Sequence, residues 1–134
     1  EAGRLGLERD AAVTGSIPED QLRIVYHACD GVLFPVKDQT WGLVPFEALA
    51  SGKPSVVAKG AGAAEIIGRE KIGFLINPNA EELAEGVLFA LDNPKLVRDM
   101  VERGQRFVSE NLTWDKYARD MCIVFKNVVK PSNR

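Results

Sequence analysis

Apolar positions along the chain alternate between two patterns. Short unbroken runs at residues 11–15 ("AAVTG"), 31–35 ("GVLFP"), 54–58 ("PSVVA") and 73–77 ("GFLIN") are bounded by Gly or Pro. Their lack of in–out alternation predicts strands covered on both faces, as in a parallel sheet. Between them the spacing becomes helical. In "PEDQLRIVYHACD", Leu22, Val25, Tyr26 and Cys29 stand at i, i+3, i+4 and i+7 and make one apolar face. Ser16 and Glu19 have the spacing of a capping box, with Pro18 in the first turn. A second helix is expected from about Pro45 to a stop at Gly52, and a weaker third over "AAEIIGRE". Three longer ones follow. The first covers residues 79–92, capped by Asn79, with Leu83, Val87, Leu88 and Leu91 as its apolar stripe. The second is "PKLVRDMVERGQRFVSEN", and the third starts at a Thr113 cap. The opening "EAGRLGLERD" reads as the tail of a helix feeding the first strand, which suggests a piece of a longer chain.

Strand–helix alternation over residues 11–92 implies an α/β fold: a Rossmann-like parallel sheet with helices on both faces. The 134 residues suffice for a single domain, residues 1–134, with one sizeable core. Formal net charge is −2, which gives no global attraction to nucleic acid or to anionic lipid. No apolar run is long enough to span a membrane. The two cysteines, Cys29 and Cys122, belong to no Cys-x-x-Cys pair and are expected to be buried and reduced.

In a sheet of this kind ligands sit beyond the carboxyl ends of the strands, so the loops after residues 15, 35 and 58 are the candidates. The loop from Pro35 to Pro45 leads into a helix whose first N–H groups lack internal partners. It carries Trp41, Gly42 and Leu43, and Glu47 is a lone carboxylate just inside that helix. A carboxylate there can accept two hydrogen bonds from vicinal hydroxyls; equally, it can be a residue favoured by the helix dipole. The glycine-rich "KGAGAAE" can cradle phosphate through its amides or be a plain tight turn, since it lacks both common phosphate-loop patterns. Gly15 and Ser16, ending the first run, form a possible nucleotide loop that turn chemistry also explains. No Asp-x-Asp pair, no serine elbow and no metal-ligating histidine is present, and His27 reads as an ordinary surface or partly buried residue.

Taken together, "AAVTGSIPEDQLRIVYHACDGVLFP", "QTWGLVPFEALASGKPSVVAKGAGAAEII", "GFLINPNAEELAEGVLFALDNP" and "LTWDKYA" resemble the C-terminal half of the family-4 retaining glycosyltransferases, the group-1 glycosyl transferases of the two-domain GT-B fold. The family's central pattern is Glu-x7-Glu, usually within E-x-F-G-L-x-x-x-E-A. Its second glutamate maps to Glu47, which the resemblance assigns to the ribose hydroxyls of a nucleotide-sugar. Gly42 and Leu43 match the Gly-Leu step that reaches donor sugar and diphosphate, and Trp41 replaces the usual Phe. Gly62 and Glu65 fall where the family often has a Gly-x-x-Glu turn, with Ala61 and Ala64 in place of its common Gly and Pro. Gln39 stands where the first glutamate would contact the transferred sugar. It keeps an acceptor oxygen but loses the charge, and charge-assisted hydrogen bonds are roughly twice as strong as neutral ones. Val36 also replaces a small polar residue.

The resemblance implies a donor-binding domain whose parent enzyme transfers a hexose from a nucleoside-diphosphate sugar with retention of configuration. That nucleotide-sugar is a co-substrate, and neither a cofactor nor a metal is expected. The diphosphate-clasping Arg and Lys and an N-terminal acceptor domain would lie outside this sequence. Fragment alone, it would be inactive. The implied parent is cytoplasmic, or membrane-peripheral through its other part. Two rivals stand beside this reading: a non-catalytic nucleotide-sugar-binding or scaffolding module, in which Gln39 marks lost chemistry, and a flavodoxin-like interaction domain.

Overall fold

The computed structural model describes residues 2–129. After a single 3-10 turn, Ala2–Leu5, the chain forms helix α1 (Glu19–Ala28), strand β1 (Val32–Phe34), α2 (Val44–Ala50), β2 (Ser55–Ala58), α3 (Gly62–Glu70), β3 (Phe74–Ile76), α4 (Ala80–Asp92), α5 (Pro94–Asn111) and α6 (Trp114–Val128). The three strands pair in parallel in the order β1-β2-β3. Leu33 lies beside Val56 and Phe34 beside Val57, while Val57 pairs with Leu75 and Ala58 with Ile76.

That register sorts the side chains. Phe34 and Val57 face one way and join Phe46 and Leu49 of α2, and Ala63, Ala64 and Ile67 of α3, with Phe107 and Val108 of α5 closing over them. Val56, Ala58 and Ile76 face the other way, under Leu83 of α4. Helices therefore cover both faces, and central β2 is buried at all four positions, as its unbroken apolar run predicts. Each large aliphatic side chain buried in this way contributes about 1.5–3 kcal/mol.

Most helix boundaries follow the expected punctuation. α2 ends in a Schellman turn: Gly52 is left-handed at φ +75°, its N–H donates to the Leu49 carbonyl, and the Lys53 N–H donates to that of Ala48. Asn79 caps α4 by accepting from the Glu82 N–H, and Thr113 caps α6 by accepting from the Lys116 N–H.

Five expectations are corrected. Residues 11–15 form no strand and are exposed throughout, Val13 at 96%. With Val13 as its one large apolar residue, the run has too little area to bury against a β1 only three residues long. The opening residues form a 3-10 turn and further turns, not an α-helix. The Ser16–Glu19 capping box does not form, because α1 starts directly from Pro18, whose carbonyl accepts the Gln21 and Leu22 N–H groups. The α4 stripe is only partly covered: Leu83 packs on the sheet, while Leu88 and Leu91 are exposed on a helix with no buried residue. Cys29 is half-buried and Cys122 exposed, both as free thiols, since α6 presents no buried residue among those described.

Candidate functional site: the corner beyond the strand ends

Two loops meet where β1 and β2 end. The Gly62 N–H donates to the Gln39 carbonyl at 2.8 Å, and the Ala63 N–H donates to that of Trp41 at 2.9 Å. The first amides of α3, candidates for cradling an anion, are thus satisfied by the backbone of the neighbouring loop. Gly62 has to be glycine because a Cβ would collide with the Thr40 carbonyl. Its place is in the wall of the corner, stitching the two loops together.

Gly42 is buried at φ +109°, a conformation that penalises any side chain, and a Cβ there would meet the Phe34 ring at 3.0 Å. The tight approach fixes where the loop turns into α2. Asp38 adds a second constraint, a non-glycine residue in the left-handed region at φ +59°. Trp41 stacks on Phe46 with ring centroids 5.9 Å apart and stays 42% exposed, while Leu43 is 58% exposed. Exposed apolar groups beside free polar ones are what a small-molecule site presents. Gln39 is exposed as well.

Glu47 lies on α2 among buried Phe46, Ala48 and Leu49, yet its own side chain is exposed. Its Oε2 accepts a 2.7 Å hydrogen bond from the hydroxyl of Tyr26, which is buried on α1. Burial first, and then the hydrogen bond and the negative charge of Glu47, hold the Tyr26 phenol well above the ordinary tyrosine range. At any physiological pH it is a donor. Sequence patterning places Tyr26 on the apolar face of α1 and misses its hydroxyl. The available signal was that a buried tyrosine tip needs a polar partner.

The loop after β3 borders the same end of the sheet. The Lys59 N–H, just past β2, donates to the Ile76 carbonyl. Glu82 accepts from the Asn77 N–H at 2.7 Å and from its side-chain amide. These bonds, the backbone one foremost, hold the Glu82 carboxyl below the usual glutamate range. Gly15 and Ser16 stand apart. They lie on the exposed segment ahead of α1, and among the described residues no hydrogen bond joins them to the other loops. His27 is exposed on α1. Among the described residues no group of three His, Cys, Asp or Glu side chains could hold a metal ion.

The parallel sheet with its crossover helices is the α/β arrangement of the GT-B glycosyltransferases. The family model for glycosyl transferases group 1 matches residues 1–107, and the chain belongs to that family. An uncharacterized glycosyltransferase of Methanocaldococcus jannaschii is 30% identical over 98% of this chain and 34% of its own length. The sulfoquinovosyl transferase of Arabidopsis thaliana is 33% identical over 78% of this chain and 21% of its own length. Among solved structures, the sucrose-phosphate synthase of Thermosynechococcus elongatus superposes with a TM-score of 0.84 at 24% identity, over 95% of this chain and 32% of that one. Anabaena HepE in complex with UDP-glucose superposes with a TM-score of 0.81 at 25% identity, over 94% of this chain and 35% of that one. The chain thus spans about a third of the length of three of these four proteins and less of the Arabidopsis enzyme.

Proposed function

We propose that this chain is the donor-binding part of a hexosyltransferase that uses a nucleoside-diphosphate sugar. The observation that carries the reading is the placement of Glu47: an exposed carboxylate, held by a buried phenol, beside the loop that Gly42 and Gly62 pin at the strand ends. A carboxylate so fixed accepts hydrogen bonds from the vicinal hydroxyls of a ribose. Trp41 and Leu43 supply apolar surface beside it, and Gln39 faces the transferred sugar. The likeness to HepE, which binds UDP-glucose, supports the same ligand class.

In the reaction, the bond between the anomeric carbon and the β-phosphate oxygen breaks. The acceptor hydroxyl bonds to that carbon and passes its proton to the departing diphosphate oxygen, and the nucleoside diphosphate leaves. Such transfer rests on positioning and on stabilising the charge of the leaving diphosphate. The acceptor and the groups that clasp the diphosphate come from the rest of the protein. Retention of configuration and independence of metal belong to this proposal; transfer that persists undiminished in EDTA is the expected outcome for the latter.

Calorimetric titration of the full-length protein with UDP, GDP and ADP and their glucose and mannose conjugates tests the reading. One nucleotide should bind, and Glu47→Ala should weaken it by roughly tenfold or more. Silence toward all of them would sink the donor-site reading.

A second reading is favoured by one feature, Gln39 in place of a carboxylate: a module that binds the nucleotide-sugar without transferring it. It predicts binding with no turnover of the sugar conjugate by the full-length protein, and no gain in affinity from the sugar itself.

A further inference from the structure

We infer that Tyr26 is a positioning residue for ligand binding, holding the Glu47 carboxylate in the one orientation that meets a ribose. This inference rests on the donor-site reading above and gives the phenol that holds Glu47 a separable role in it.

The geometry is specific. A tyrosine hydroxyl on α1 reaches across to α2 and donates to Oε2 of Glu47 at 2.7 Å, within the short range of bonds to charged oxygens. The phenol is buried, whereas the carboxylate it holds is exposed. Three torsions leave an exposed glutamate free to roam, and a tyrosine ring has only two, here fixed by burial. The cost of ordering Glu47 is thus met on folding and not on binding, which is how preorganisation raises affinity. The bond also divides the carboxylate. Oε2 is already engaged, so Oε1 is the oxygen with both acceptor positions open to a ligand.

Removing the hydroxyl has two opposed effects. It frees a lone pair on Oε2, and it releases the side chain. A carboxylate oxygen accepts two hydrogen bonds, so Oε2 can already take a second donor and gains little. Loss of order therefore wins, and binding weakens. Because the phenol stays protonated through the physiological range, the hold does not depend on pH there.

The test uses the full-length protein, Tyr26→Phe and Glu47→Ala, with UDP, GDP and ADP as probes and the 2′,3′-dideoxy form of whichever binds. Tyr26→Phe keeps the ring and is checked by its melting curve. The expected result is that Tyr26→Phe weakens the ribonucleotide by roughly tenfold, the scale of one charge-assisted hydrogen bond. The same variant should leave the dideoxy form unchanged and add nothing on a Glu47→Ala background. In turnover, KM for the sugar conjugate should rise while kcat holds. An equal loss for both sugars would make Tyr26 a structural residue and overturn the inference, as would no loss at all. Binding that needs Glu47 but ignores Tyr26 refutes this inference alone. If the wild type binds none of the three nucleotides, the donor-site reading falls, and this inference falls with it.

Discussion

The Gly62 amide and the Gln39 carbonyl, 2.8 Å apart, join the loop after β2 to the loop after β1. This contact makes one corner out of two crossovers, and it leaves no room for a side chain at residue 62, where the nearest atoms are backbone atoms of Thr40 and Trp41. Gly62→Ala should therefore push the loops apart while the sheet survives. The expected outcome is a stability loss of about 1–3 kcal/mol, the scale of overpacking. Nucleotide binding should be lost with helix content unchanged, measured by urea unfolding, calorimetry and circular dichroism. Unaltered binding would show that the corner does not depend on this stitch.

Helix α5 meets α2 where Gly104 lies against Leu49. A Cβ on residue 104 would come within 2.5 Å of Leu49 Cδ2, and Leu49 is fully buried, so it has nowhere to move. In an open helix, alanine would gain about 1 kcal/mol over glycine. Here the clash, about 1–3 kcal/mol, outweighs that gain. Gly104→Ala should lower the urea midpoint without altering the slope of the transition, and a raised midpoint would refute the close packing.

The Ser55 hydroxyl is fully buried in β2 and has no hydrogen-bond partner among the described residues. An unpaired buried hydroxyl costs about 1–3 kcal/mol, whereas Ser55→Ala removes one atom and leaves a small void. The substitution should be neutral or stabilise the chain by up to about 1 kcal/mol, read as an upward shift in Tm. A clear loss of stability would mean that the hydroxyl has a partner in solution.

How much of this could be read from sequence varies with the length scale of the interaction. β2 and its flanks are legible because four consecutive buried positions leave no other reading, and Gly52, Asn79 and Thr113 act within one turn of chain. Residues 11–15 have the composition of a strand but form none, because pairing depends on a neighbour that local sequence does not reveal. The corner itself was visible in outline. Trp41, Gly42 and Glu47 stand out as an odd mixture, yet the reason for Gly62 lies 22 residues away in Thr40. Tyr26 was hidden for the same reason: its partner is 21 residues along the chain and on another helix.

The Tyr26–Glu47 bond also sets how the chain responds to alkali. The fold keeps the phenol protonated above its ordinary value of 10.0, first through burial and then through Glu47, with Cys29 a smaller negative neighbour. In the unfolded chain the phenol ionises near that ordinary value. A group whose folded pKa is raised contributes its stability in full below the unfolded pKa and loses it as pH rises through the folded one. Tyr26 should therefore cost nothing between pH 7 and 9 and destabilise the fold progressively above about pH 10. Lysines titrate in the same range, so the informative quantity is the difference between wild type and Tyr26→Phe in urea midpoint. That difference should be flat below about pH 9 and should move in favour of Tyr26→Phe as pH climbs beyond 10. A tyrosinate absorbance near pH 10 that is larger in the native protein than in Tyr26→Phe, which keeps Tyr117, would show instead that the Tyr26 hydroxyl is open to solvent and Glu47 unheld.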